Sequence, residues 1–214
     1  MLPFLQSLES PKLPPGILAL NPYQNPVAFS CVQQFYKKYY SDENQRILIV
    51  GINPGRFGGG MTGIQFTDPI QLEMICGIKN DLSKKSELSS TFFYQVIKAF
   101  GGPDKFYKKF YVSAICPLGF VKEGKNMNFY DRPELQHLIT PFILKSLKKQ
   151  LDFGIHKATC ICLGEGKNYK FLKKINEENF FFKSIIPLPH PRFIMQYRRK
   201  QVNDFIKTYL EALD

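Results

Sequence analysis

A chain of 214 residues with 44% hydrophobic content can bury a full core and falls within the length of a single domain of generous size. No apolar run approaches the roughly eighteen residues of a membrane span and no charged-then-apolar leader opens the chain, so neither a span nor a signal peptide is expected. Twenty-nine Lys and Arg against eighteen Asp and Glu give a formal charge of +11, which favours polyanions such as nucleic acid as partners, with ordinary solubility charge as the competing explanation.

Residues 1–26 carry six prolines (Pro3, Pro11, Pro14, Pro15, Pro22, Pro26), each of which removes a donor and fixes a dihedral. They predict an extended arm with at most a short helix near Phe4 to Leu8, wrapped on a domain over 27–214. Val27 to Tyr40 sets Val27, Cys31, Val32, Phe35 and Tyr39 near helical spacing, with Pro26 suited to the first turn. The apolar run within Arg46 to Gly51 predicts strand one, which opens into a loop holding Asn53, Pro54 and five glycines (Gly55, Gly58, Gly59, Gly60, Gly63). Ile70 to Ile78 reads as a helix that Thr67 or Asp68 can cap, 79–88 as a Lys-rich surface loop, and Ser89 to Phe100 as a helix closed by Gly101 and Gly102.

Strand two is expected at Phe110 to Cys116, ended by Pro117. The loop GFVKEGKNMNFYDRP after it mixes Lys122, Lys125, Asn126 and Asn128 with Phe120, Phe129 and Tyr130, a combination that suits single-stranded nucleic acid, with a solvated loop whose aromatics tuck into the core as the alternative for any single residue. Pro133 to Leu151 is an amphipathic helix, Ala158 to Leu163 strand three, and a further helix runs through Ile175. Ser184 to Leu188 is strand four, ending in Pro189, His190 and Pro191, and a last helix covers about Gln196 to Leu213. Short apolar strands alternating with helices predict a three-layer α/β/α domain around a four-stranded, mostly parallel sheet.

In a parallel sheet the loops leaving the carboxyl ends of the strands share one rim, so Asn53, Ala114 to Leu118, Gly164 and His190 become potential neighbours. His190 lies between two prolines that fix its backbone, whereas His137 and His156 read as structural. Five cysteines (Cys31, Cys76, Cys116, Cys160, Cys162) show no metal-ligand spacing and read as reduced core thiols, which points to the cytoplasm. The glycine loop has the spacing of a phosphate cradle over Gly55 to Thr62, but Met61 stands where the phosphate-binding lysine belongs, and CICLGEG offers no Asp for magnesium.

The same loop, GINPGRFGGGMTGIQF at 51–66, resembles the first motif of the single-strand-selective monofunctional uracil-DNA glycosylases at Gly51, Asn53, Pro54, Gly55, Phe57, Gly58, Thr62, Gly63 and Phe66. ICPLGF at 115–120 with GKN at 124–126 resembles that family's second-strand segment, CLGEGK its third, and PHPR at 189–192 its final His-Pro motif. The resemblance spans about 47–199. It implies a monofunctional DNA glycosylase of base excision repair, free of metal and organic cofactor, working on DNA as a monomer. Asn53 then holds the attacking water and His190 stabilises the departing base, while Phe66 stacks on that base and Gly55 lets the backbone approach it. Met61, Ala114, Cys116 and Pro117 complete the expected base pocket. Arg192, Arg198 and Arg199 are expected to grip phosphates, with Lys125 and Asn126 also on the DNA, and Phe193, Ile194 or Met195 to fill the emptied stack.

Two departures narrow this. Where the family carries an Asn two residues before the second-strand Cys, this chain has Ala114, which cannot hydrogen-bond, and Ser113 beside it points to the opposite strand face. The segment after His-Pro also differs, with Arg192, Phe193 and Ile194 where the family has a Ser and further turn residues. A pocket without that amide leaves room for xanthine and hypoxanthine as well as uracil. Ala114 also motivates the competing reading, a non-catalytic nucleic-acid-binding protein of the same fold.

Overall fold

The computed structural model describes all 214 residues. The chain opens with α1 (Leu2–Gln6) and β1 (Ile17–Leu20), then a 3-10 turn over Pro22–Gln24 capped by the Asn21 side chain. The next helix, α2 (Pro26–Tyr39), begins at a proline whose missing N–H costs nothing there, and the Asn25 carboxamide accepts from the next two amides. β2 (Arg46–Gly51) delivers the glycine loop, which coils into one short turn, α3 (Gly59–Thr62). In α4 (Pro69–Met74) the cap is Asp68, whose Oδ1 accepts from Ile70 and Gln71 at 3.0 and 2.8 Å. α5 (Leu88–Ala99) ends near Gly101 and Gly102, and Pro103 at once starts α6 (Pro103–Lys109), a helix for which the sequence pattern gives no clear signal.

β3 (Phe110–Ala114) is followed by β4 (Gly119–Lys122), β5 (Lys125–Met127) and α7 (Pro133–Leu151). β6 (Ile155–Leu163) starts three residues before the expected strand, α8 (Lys167–Asn179) covers the helix through Ile175, and β7 (Ser184–Leu188) stands where expected. The single helix expected over 196–213 is instead two, α9 (Pro191–Tyr197) and α10 (Val202–Leu213). Pro191 fits a first helical position with His190 as its cap, and the backbone leaves helical geometry at Arg198.

The central sheet runs β3-β2-β6-β7 with every pair parallel. The register aligns Gly51 with Ala114 and Val50 with Cys162, so the carboxyl ends of the strands finish together. The order reverses at β2, which opens a crevice beyond its end, the usual ligand position in such sheets. Pro187 is tolerated in β7 because that strand is an edge. Along β3 the side chains alternate between the two covering layers. Tyr111 and Ser113 meet α2 and α7 through the Tyr36 hydroxyl at 3.1 Å and the Gln150 carboxamide, while Phe110 packs on Phe100 and Phe106.

The sequence pattern does not announce a second sheet, β1-β4-β5, all antiparallel. The proline-rich arm supplies β1, which pairs with β4 over Ile17↔Lys122 to Leu20↔Gly119, so the arm is a strand and not simply an extended wrap. The basic loop after β3 is a hairpin, turned by Glu123 and Gly124, which both take positive φ. Arg46, almost wholly enclosed at the start of β2, binds α2 to α6: its Nε donates to the Tyr107 carbonyl at 2.7 Å and Nη2 to the Tyr39 carbonyl at 3.0 Å, with Asp42 as ion partner.

Candidate active site

The crevice holds a cavity of about 290 Å³. Its wall is built from the exit of β2 (Ile52 to Gly55, Phe57), the end of the glycine loop (Gln65, Phe66), the start of α5 (Glu87, Ser89), the end of the hairpin (Asn126 to Asn128), and α9 with its cap (His190, Arg192, Phe193, Gln196, Tyr197).

Asn53 lies two residues beyond β2, half-buried. Its Nδ2 donates to the Met127 carbonyl at 3.1 Å and its Oδ1 accepts from the Phe129 amide at 3.0 Å, so the hairpin fixes the orientation of its carboxamide at both ends. Asn126 adds a second tie, its Oδ1 accepting from the Arg56 amide at 2.9 Å. The contact is close enough that a Cβ at Gly119 would stand 2.3 Å from the Pro54 carbonyl. Thr62 knits the far end of the loop, its hydroxyl donating to the Thr67 carbonyl at 2.7 Å and accepting from the Ile64 amide at 3.1 Å.

Phe66 takes a left-handed backbone conformation (φ 53°), unusual for an aromatic residue, which turns its ring back over Gly51. The ring centroid lies 5.0 Å from Phe93 and 5.7 Å from His190. His190 caps α9 by accepting the Arg192 amide on Nδ1 at 3.1 Å. That bond assigns the neutral tautomer in which Nε2 carries the proton and is free to donate into the cavity. Although the ring keeps some contact with solvent, desolvation pushes its pKa down to about 4, helped by the charge of Arg192, so the imidazole is neutral near pH 7. The carbonyl of Pro189, just before it, accepts the hydroxyl of Tyr209 from α10.

The structure thus brings Asn53, Gly55, Phe66 and His190 together with Asn126, Arg192 and Phe193. Met61 sits in α3 outside the cavity wall, while Ala114, Cys116 and Pro117 are sealed in the interior and line no part of it. Burial raises the Cys116 thiol to about 12, as suits a core group. Of the three stack-filling candidates, Ile194 and Met195 point into the core and Phe193 points outward, beside Tyr197 at 5.7 Å and beneath the Arg198 guanidinium at 5.5 Å. Arg192, Arg198, Arg199 and Lys125 are exposed, the arginines on the α9 side and Lys125 on the hairpin. Gln65, Glu87, Ser89, Gln196 and Tyr197 are wall residues that the sequence reading did not single out. No three His, Cys, Asp or Glu side chains converge as metal ligands.

The family model described as "Uracil DNA glycosylase superfamily" matches residues 37–214. The chain belongs to the uracil DNA glycosylase superfamily. The glycosylase is similar in structure to Pedobacter heparinus SMUG2, whose crystal structure matches with a TM-score of 0.95 and 45% sequence identity, covering 99% of this chain and 94% of that one. Membership makes it a DNA glycosylase, a hydrolase of N-glycosyl bonds that acts on DNA in repair. No helix of the glycosylase is long and apolar enough to cross a membrane.

Proposed function

We propose that this glycosylase hydrolyses the N-glycosidic bond of a deaminated base turned out of DNA into the cavity, with water oriented by Asn53 and a hydrogen bond from His190 to the departing base. As the bond breaks, positive charge grows on the sugar and negative charge on the base, and the site must stabilise both. A cationic sugar needs only a weak nucleophile, so holding and aiming water suffices. Near the departing base, a neutral Nε2–H acts as an oxyanion-hole donor, worth most in a desolvated site. Phe66 offers the stacking face. The observation that carries this reading is that Asn53 and the free Nε2 of His190 open on one cavity, with the Phe66 ring in its wall.

No lysine lines the cavity, so no amine stands ready to form a Schiff base, which favours simple hydrolysis over strand cleavage. The cavity also lacks an amide from β3, since Ala114 is enclosed, and this supports xanthine and hypoxanthine as substrates beside uracil. Exposed Arg192, Arg198 and Arg199 hold phosphates in this reading, Lys125 and Asn126 meet the strand from the hairpin side, and Phe193 enters the emptied stack.

The test is incubation with labelled oligonucleotides containing uracil, xanthine or hypoxanthine, single- and double-stranded, followed by alkali. Cleavage at the modified base is expected. Removing the donor in His190→Ala should lower the rate about 10² to 10³-fold, and Asn53→Ala about a hundredfold or more through lost orientation. Variants that cut as well as the parent would sink the assignment, and a parent that binds DNA but releases no base restores the binding-only reading.

A further inference from the structure

Deamination puts a carbonyl on the base where an amino group stood, and a site selective for deaminated bases needs a group that meets it. The strand that supplies an amide in the resembling family offers only the enclosed Ala114. Resting on the glycosylase reading above, we propose that Asn126, on β5 of the hairpin, reaches past the strand to the extrahelical base and donates through Nδ2 to that carbonyl.

Most other polar side chains of the wall are already engaged. Both ends of the Asn53 carboxamide are held, through the Met127 carbonyl and the Phe129 amide. Glu87 accepts the Ser90 amide and the Ser89 hydroxyl, each at 3.0 Å, which occupies both carboxylate oxygens and Ser89 with them. Asn128 turns to Asp131, and His190 is directed at the departing base. Asn126 differs in that its bond leaves one end open. Its Oδ1 accepts the Arg56 amide at 2.9 Å, and because a backbone N–H can only donate, that bond fixes which end of the carboxamide is which. Nδ2 and its two N–H groups are left beside Gly55, 3.1 Å from the position a Cβ on Gly55 would take. Asn126 and Gly55 line the same cavity as Phe66. The backbone of Asn126 is held as well, since β5 pairs it with Val121 of β4. Gln65 and Gln196 also stand in the wall, but their side chains make no hydrogen bond that settles which end of the amide faces inward.

The selectivity follows from the sense of the Arg56 bond. Uracil carries a carbonyl where cytosine carries an amino group, and hypoxanthine one where adenine carries an amino group. A fixed N–H donor pairs with the first of each couple and faces another donor in the second, which leaves both groups unpaired. A freely turning amide would serve both, which is why the tie to the glycine loop matters. Thymine and guanine keep a carbonyl at this edge, so Asn126 separates uracil from cytosine and hypoxanthine from adenine only.

Asn126→Asp is the decisive variant, because its carboxylate still accepts the Arg56 amide while an oxygen replaces the donor. Two measurements are made near pH 7.5: single-turnover release of uracil and hypoxanthine at saturating enzyme, and binding of strands carrying one 2′-fluorinated deoxyuridine or deoxycytidine, whose fluorine disfavours the cationic sugar and blocks cleavage. The added charge acts equally on both strands and cancels in the ratio of their affinities. The parent should bind the uridine strand more tightly than the cytidine strand. In Asn126→Asp that ratio should fall about tenfold or more, with release of uracil and hypoxanthine slowed on the same scale, that of one hydrogen bond with an unpaired partner. Asn126→Ala, which loses the tie and the donor together, should lower the rate at least as far. An active parent without the uridine preference, or an Asp variant that keeps it whatever its rate, makes Asn126 a tie between hairpin and loop and overturns this inference alone. A parent inactive on every base overturns the glycosylase reading and this one with it.

Discussion

The Phe66 ring leans on Gly51 so closely that a methyl group at 51 would stand 2.6 Å from it, and Phe93 and His190 flank the ring. Gly51→Ala must therefore push the ring toward the cavity. Urea unfolding should show a loss of about 1–3 kcal/mol, as for other overpacked sites, with base release falling by more than the stability loss explains. His190 has a pH signature. Its folded pKa of about 4 lies below the usual 6.5, so above 6.5 both states are neutral and the residue has no effect on stability. As pH falls from 6.5 toward 4 the unfolded chain takes up a proton that the fold excludes, and stability declines across that window. Unfolding at pH 7 and pH 5 should show a larger drop for the parent than for His190→Gln, and the parent's activity should lack a step at 6.5. At this scale Asn53, Phe66 and His190 were legible because each lies in a short motif next to a strand end. Gln65 and Glu87 were not, since a glutamine before an aromatic and an acid before a helix each have ordinary local roles, and only the closing of the wall gives them others. Met61, Ala114, Cys116 and Pro117 were expected in the pocket from the resemblance of their segments, and sequence does not say which residues of such a segment face inward.

The hairpin β4–β5, with the residue pair that follows it, orients Asn53 through the Met127 carbonyl and the Phe129 amide. Gly119 lets its first strand lie against the Pro54 carbonyl, and since the obstacle is backbone, no rotamer change relieves a Cβ there. Gly119→Ala should separate the hairpin from the glycine loop, lowering the melting temperature and reducing the single-turnover rate of base release at saturating enzyme, which thermal melts and single-turnover kinetics can check. The four parallel strands were readable because they are short apolar runs between helical patterns, β2 and β3 buried on both faces. β1, β4 and β5 were not, because strands of four, four and three residues in proline-rich or basic sequence carry no period to detect, and their pairing partners are remote. The break between α9 and α10 escaped for a different reason. A proline after a strand reads equally well as the end of the strand or as the first residue of a helix.

The whole molecule carries +11 formal charge, and exposed Arg56, Lys125, Arg192, Arg198 and Arg199 lie on the elements around the cavity mouth. Binding to a single-stranded oligonucleotide should therefore weaken along a straight line of log affinity against log salt. Arg192→Ala and Arg198→Ala should each reduce that slope by about one unit, whereas Lys183→Ala, on β7's opposite end, should not change it. The antiparallel pair of β1 with β4 joins residues about a hundred positions apart in the chain, and a closure of that length is slow relative to local helix formation. The arm must thus wait for β4 before its strand can dock. Until then the hairpin that orients Asn53 lacks its outer neighbour. The orientation of Asn53 thus leans, through the hairpin, on a non-local strand pairing made by a segment whose own sequence reads as little more than an extended arm.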